Sequence, residues 1–437
     1  MDAWTDVIPV LPHPKVPTTI EEAGLSLDLM VQLALKHLHF GGELLGTELA
    51  RRLGVRFSVV EPVLDQLKAQ HHVAIIGGSM LGPASFKYRI TDAGRTRVAI
   101  FLEHNHYLGP APVPLAQYRD YMREWHGVAP RSATQERVRE AFAHLVISDP
   151  VLDQLGPAIN AAHSLFVYGP PGNGKTVISQ AIRNLLDGDI AVPYAFEVEG
   201  QIVGFYDPVN HQHLPLEEET GLDASTDVDR RWVRIRRPLV MVGGELTLES
   251  LELSYNPTSG FYRAPVQALA NGGVLVIDDF GRQRVDARQF LNRWIVPLES
   301  RVDYLTLQTG QKFELPFMTL MVFATNIRPA DLVDEAFLRR IHYKVFAESP
   351  TVEDFARIFN NCCAERGIAY DRALVDHLLQ AYYRPRRIPL RGCQPRDLIE
   401  QALSLAEYLG QPPHLTAELL ESACASYFVD DKEPAPV

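Results

Sequence analysis

The stretch richest in chemistry is Gly169-Pro170-Pro171-Gly172-Asn173-Gly174-Lys175-Thr176. It follows the apolar run Ser164–Tyr168 and precedes Val177-Ile178-Ser179-Gln180-Ala181-Ile182, so the order is strand, glycine loop, helix. Glycines let backbone N–H groups curl around phosphate oxygens, and the new helix aims its positive end at the same point. Lys175 would reach the β- and γ-phosphates of a nucleotide, and the Thr176 hydroxyl would bind Mg²⁺. Further on, Gly273-Val274-Leu275-Val276-Ile277 reads as a buried strand ending in Asp278 and Asp279. Open parallel sheets hold ligands at that end of their strands. Asp278 would hold Mg²⁺, directly or through water, while Asp279 would orient and deprotonate an attacking water. These residues specify a phosphate site and leave the base undecided.

The elements around them belong to a chain of 437 residues, long enough for two or three domains. Hydrophobic residues at 46% and charged residues at 22% give the balance of a soluble globular protein. No run of 18 apolar residues occurs, and the start lacks the basic and apolar parts of a secretory signal, so no membrane insertion is expected. Cys362, Cys363, Cys393 and Cys424 form no CxxC pair, which fits a reducing cytoplasm and not a zinc or disulfide framework. A net charge of −12 argues against a protein that coats nucleic acid.

Residues 1–22 are rich in proline and read as an extended arm. Across 23–105 the pattern is three helices, two strands and a helix. The helices are Leu25–Leu38, Glu48–Leu53 behind a Thr47 cap, and one opened by Ser58 with Glu61 completing a capping box. Strands Val73–Ile76 and Phe86–Ile90 flank a Gly77–Pro83 tip, and Thr91 opens the last helix. This order resembles a winged helix-turn-helix, and Tyr88-Arg89-Ile90-Thr91-Asp92-Ala93-Gly94-Arg95 is similar to the segment that closes the wing. Residues 106–128 read as a Pro-rich linker. Strands alternate with helical patterns over 129–346, as in a parallel sheet covered by helices, and 347–429 read as a helical bundle before a disordered tail, 430–437.

The loop has the form common in AAA+ ATPases, and later segments resemble that family's motifs in order. Leu320–Asn326 resembles the sensor-1 strand, with Asn326 beside the acids. Asp334–Ile341 resembles the segment that lends an arginine finger, Arg339 or Arg340, to a neighbouring subunit. Gln394-Pro395-Arg396-Asp397-Leu398 resembles sensor 2, with Arg396 touching nucleotide from the lid. The resemblance implies an α/β P-loop AAA+ parallel-sheet domain with a C-terminal helical lid, preceded by the winged helix. It also implies ATP over GTP, Mg²⁺, and a homo-oligomeric ring that hydrolyses ATP to remodel a protein or nucleoprotein client. Most members have Glu where this chain has Asp279, whereas initiators and helicase loaders often have Asp-Asp. The shorter side chain implies slow, partner-stimulated turnover. Two alternatives stand: a DNA-associated protein of initiator, helicase-loader or transposition-helper type, and an ATP-binding switch with little hydrolysis.

Other features carry two readings each. The hairpin pattern Asp303–Pro316 faces a substrate or DNA, or stabilises the fold, and Phe205 or Tyr206 is a pore residue or a packing residue. The charge run in 207–239 reads as a solvated face, with acids at Glu217 to Glu219 and arginines from Arg230 to Arg237. His71/His72, His104/His106 and His211/His213 lack a second ligand pair at metal-binding spacing. The would-be recognition helix, Ser58–Gln70, carries Glu61, Asp65 and Lys68, which favours protein docking over duplex DNA. Arg51, Arg52, Arg56, Lys87 and Arg89 could still form a modest phosphate-contacting edge.

Overall fold

A computed structural model describes residues 11–78, 82–129, 133–162, 164–215, 228–332 and 335–428. The start of the arm, the centre of the Gly77–Pro83 tip, the acids Glu217 to Glu219, Asp334 and the tail lie outside the described residues. The chain forms two compact units. One comprises Met1–Ser132, Leu186–Ile277 and Gln283–Met321; the other comprises Ala133–Leu185, Asp278–Arg282 and Val322–Val437. The stretch 129–346, read from the sequence as one domain, is shared between them.

In the first unit, helices Leu27–Gly41, Gly46–Leu53, Phe57–Ala69 and Asp92–His104 surround a core that includes Leu33, Leu49, Val63, Leu67, Tyr88 and Val98. Strand Phe86–Ile90 lies between Glu43–Leu45 and Val73–Gly78 in an antiparallel sheet. Thr91 caps its helix as expected, accepting from the Gly94 N–H at 3.1 Å. Two expected caps are corrected. Thr47 lies inside its helix, where Leu45 takes the N-cap position, and Arg56 takes the position expected for Ser58. The Ser58 hydroxyl instead donates to the Thr18 carbonyl at 2.7 Å, tying the arm to the helix. The arm is ordered here into the short helix Ile20–Ala23, capped by Thr19.

The rest of this unit is mostly β. Val113–Pro114, Ala195–Val198, Gln201–Gly204, Phe261–Arg263 and Ser254–Asn256 form one sheet, and Asp189–Pro193 pairs antiparallel with Trp232–Arg236. Leu239–Val242 and Val274–Ile277 run parallel. Hairpin strands Val302–Thr306 and Lys312–Pro316 send Leu305, Leu307, Phe313 and Leu315 into a core shared with Trp125, Phe196 and Phe205. The packing reading therefore accounts for both the hairpin and Phe205, which is buried 5.2 Å from the Tyr118 ring.

The charge run is not a uniformly solvated face. Arg231 and Asp229 are each 1% exposed and joined at 2.8 Å, and Arg231 also donates to the Ala23 carbonyl at 3.0 Å. Arg237 donates to the Gly272 carbonyl at 2.6 Å and lies 5.0 Å over the Trp125 ring. Partners for each guanidinium offset the cost of removing it from water. Arg231→Ala leaves Asp229 buried without its cation and is expected to cost about 3–5 kcal/mol, read from urea unfolding.

Lys36 is buried too, donating to the Asn105 carbonyl at 2.7 Å and to its Oδ1 at 2.6 Å. Burial pulls its ammonium down to about 8. Between that pH and the ordinary 10.5 the unfolded chain holds a proton that the folded chain has lost. The Lys36 contribution to stability therefore increases as pH rises through that window. Lys36→Met should remove this increment, measured as the wild-type-minus-variant difference in unfolding free energy across the window.

In the second unit, Leu165–Tyr168 is the central strand, with Leu320–Thr325 on one side and Tyr343–Phe346 on the other, all parallel. Helices Gln135–Ala141, Asp149–Ala161 and Lys175–Ala181 accompany them. Val352–Glu365, Arg372–Leu378, Gln394–Tyr408 and Ala417–Tyr427 then form a bundle around Phe355, Phe359, Leu378, Ile399 and Leu420. Thr351 and Asp354 open it with a capping box.

Candidate functional site

The central strand Leu165–Tyr168 delivers the glycine loop. At Gly169, φ is 148° and a Cβ would stand 2.5 Å from the Ala347 carbonyl oxygen. Its N–H donates to the Thr325 carbonyl at 3.2 Å. Gly172 has φ 78°, and a Cβ there would meet the Cys393 Sγ at 2.5 Å. Gly174 precedes helix Lys175–Ala181, whose first turn has no side-chain cap, which suits N–H groups meant for an anion. Lys175 is buried and donates to the Pro170 carbonyl at 2.9 Å. Burial lowers its pKa; Asp278 and Asp279 oppose that shift, while the Arg391 and Arg282 charges add to it.

The acids are set by backbone bonds to the neighbouring strand. The Phe280 N–H donates to the Ala324 carbonyl at 2.8 Å, and the Thr325 hydroxyl donates to the Phe280 carbonyl at 2.6 Å. The Phe280 ring is buried beside Phe166 and Phe323. Asp279 adopts φ 48°, a left-handed conformation that costs a residue with a Cβ roughly 1–2 kcal/mol. Its N–H donates to Asp278 Oδ1 at 2.9 Å. Asp278 Oδ2 accepts from the Thr176 hydroxyl at 2.6 Å, and Asn326 Nδ2 donates to Asp279 Oδ1 at 3.1 Å. A hydroxyl and a carboxylate meeting beside a lysine form a hard-oxygen donor set suited to Mg²⁺, which keeps most of its ligands as water or phosphate.

Arg339 is exposed and paired with Glu335 at 2.9 Å. Arg340 follows at a turn, where its carbonyl accepts from the Ser164 hydroxyl at 3.1 Å. Arg396 is 58% exposed and donates twice to Asp397 Oδ1, at 3.0 and 2.9 Å. The bundle residues that reach the glycine loop are Arg391, Gly392 and Cys393. Cys393 N–H donates to the Gly172 carbonyl at 2.8 Å, and Gly392 N–H donates to Asn173 Oδ1 at 3.4 Å. Sequence reading passed over Arg391; its one local signal was the following Gly392, which permits close approach. A cavity of about 110 Å³ adjoins the loop, lined by Val146, Ile147, Asn173, Ile178, Pro350 and Ile358 among others. Val146 and Ile147 carried no motif.

Residues 351–426, the helical bundle, match a family model described as a domain of unknown function, DUF8689. No curated protein matches the chain. Among solved structures, the chain is similar to the RuvB Holliday junction branch migration motor of Thermotoga maritima. The two are 13% identical over 65% of this chain and 71% of that one, with a TM-score of 0.37. It is also similar to NtrX from Brucella abortus, at 16% identity over 73% of this chain and 63% of that one, with a TM-score of 0.41.

Gly169→Ala would push a methyl group into the Ala347 carbonyl in a backbone conformation that side chains avoid. The expected loss is about 1–3 kcal/mol of stability, read from thermal unfolding.

Proposed function

We propose that the chain is an ATP-binding, Mg²⁺-dependent ATPase of the AAA+ type that works as a homo-oligomeric ring on a protein client. The observation that carries this reading is the 2.6 Å bond between Thr176 and Asp278 beside Lys175. Thr176 and Asp278 would hold Mg²⁺, which would supply charge neutralisation at the phosphates. Gly169, Pro170, Pro171, Gly172, Asn173 and Gly174 would wrap the phosphates, with Lys175 as their fixed cation. The cleft beside Asn173, where Ile147, Ile178 and Ile358 stand among the polar Ser148, Glu348 and Asp354, is the candidate seat of the adenine ring. Asp279 would hold the attacking water and take its proton, with Asn326 fixing the carboxylate.

Arg339 or Arg340 would act on a neighbouring copy's nucleotide, and the exposure of Arg339 favours a group that reaches outward. Arg396 would approach nucleotide only after leaving Asp397. Asp279 is a methylene shorter than Glu, and with its bond to Asn326 this supports slow turnover that a partner accelerates.

The order of helices and antiparallel strands in 23–105 supports a winged helix-turn-helix. Its basic edge is largely self-neutralised: Arg51 and Arg52 pair with Glu48, Lys87 and Arg89 with Glu43, and Lys68 with Asp65. The helix Phe57–Ala69 exposes Ser58, Pro62, Asp65 and Ala69, with no cation among them. These features favour a protein client over duplex DNA. Among the described residues no helix is long and apolar enough to cross a membrane. Cysteine spacing without a CxxC pair supports a cytoplasmic protein.

Titration with MgATP and MgGTP tests the site. ATP should bind preferentially, Lys175→Ala should lose binding at least about tenfold, and Asp279→Asn should keep it while hydrolysis falls on the order of 10²-fold. Binding indifferent to Lys175 sinks the reading. Sedimentation of Asp279→Asn with ATP should show a closed oligomer. A steep salt dependence of DNA affinity would favour the DNA-associated alternative.

A further inference from the structure

We propose that Arg391 is the cation through which the helical bundle binds the phosphates of the nucleotide. This rests on the nucleotide-site reading and departs from the motif match, which points to Arg396.

The backbone around Arg391 is held in place. Its N–H donates to Gln394 Oε1 at 2.8 Å, and that buried amide oxygen also accepts from the Tyr383 hydroxyl at 3.2 Å. The next two residues dock on the glycine loop through Asn173 and the Gly172 carbonyl. The Arg391 Cβ lies 3.5 Å from the point where a Gly172 Cβ would stand, so the guanidinium starts beside the phosphate cradle.

What the two arginines hold separates them. Arg396 gives two donors to Asp397, whose other oxygen accepts from the Tyr427 hydroxyl at 3.1 Å. That pair is closed on itself. Arg391 donates to the neutral Ser349 hydroxyl at 2.7 Å, and among the described residues no carboxylate lies within ion-pair distance of it. Ser349 Oγ also accepts from Asn173 Nδ2 at 3.4 Å, so the hydroxyl bridges arginine and loop. Arg391 and Lys175 are close enough for the charge of one to disfavour the charge of the other. Two cations beside one loop, one of them without a carboxylate partner, make an anion site, and a guanidinium fork matches phosphate oxygens. Exchange of the Ser349 hydroxyl for phosphate would add a nucleotide-dependent tie to the hydrogen bonds that already join bundle and loop.

The test is titration of the full chain with a fluorescent ATP analogue in wild type, Lys175→Ala, Arg391→Ala, Arg391→Lys and Arg396→Ala, with thermal unfolding of each. Arg391→Ala should weaken binding about tenfold or more without a fall in the unfolding midpoint, Arg391→Lys should restore part of it, and Arg396→Ala should weaken it less than Arg391→Ala does. Lys175-dependent binding that Arg391→Ala leaves intact, or that Arg396→Ala weakens instead, overturns this assignment alone. Binding that is absent, or indifferent to Lys175, overturns the nucleotide reading and this assignment with it.

Discussion

Two hydrogen bonds around Phe280 decide where the acids stand. Phe280 gives its N–H to the Ala324 carbonyl and takes the Thr325 hydroxyl on its own carbonyl, so the backbone after Asp279 is locked to a strand. The buried Phe280 ring prevents that lock from slipping. With the exit fixed, Asp279 must turn through a left-handed conformation, and Asp278 and Asp279 diverge toward Thr176 and Asn326 respectively. The strain is local and the surrounding core sustains it, as is common where geometry serves chemistry.

Much of this was legible beforehand. The strand, loop and helix at 164–182, the strand before Asp278, and the strand before Asn326 all stand where apolar runs and glycines put them. Their signals are short-range, because a buried parallel strand is an apolar run and a phosphate loop is a glycine pattern. The closeness of Thr176 to Asp278 was an inference from motif order, and the structure brings those side chains together.

What escaped the sequence depends on long-range geometry. Val146 and Ile147 carry no local pattern, Arg391 carries only the Gly392 that follows it, and the fold brings them near the loop. Ser58 suits a cap by residue type, yet its helix starts at Phe57 behind Arg56, and its hydroxyl donates to the Thr18 carbonyl instead. The arginines near 231 read as solvated because burial cannot be seen in a charge run. Phe205 offered no means of telling an exposed aromatic from a core one, since the deciding neighbours Tyr118 and Phe196 come from distant segments.

The clasp of Arg231 on the Ala23 carbonyl bears on how the protein emerges from the ribosome. Its partners lie 208 residues apart in the chain, and Gln117 joins them by donating to Glu22 and accepting from Arg231. The arm and first helices therefore cannot complete their native contacts until more than half the chain has been synthesised. During that interval the Ala23 carbonyl must be satisfied by water. This unit pays its loop-closure entropy late in translation, a situation in which chaperone binding to the nascent chain would have time to act.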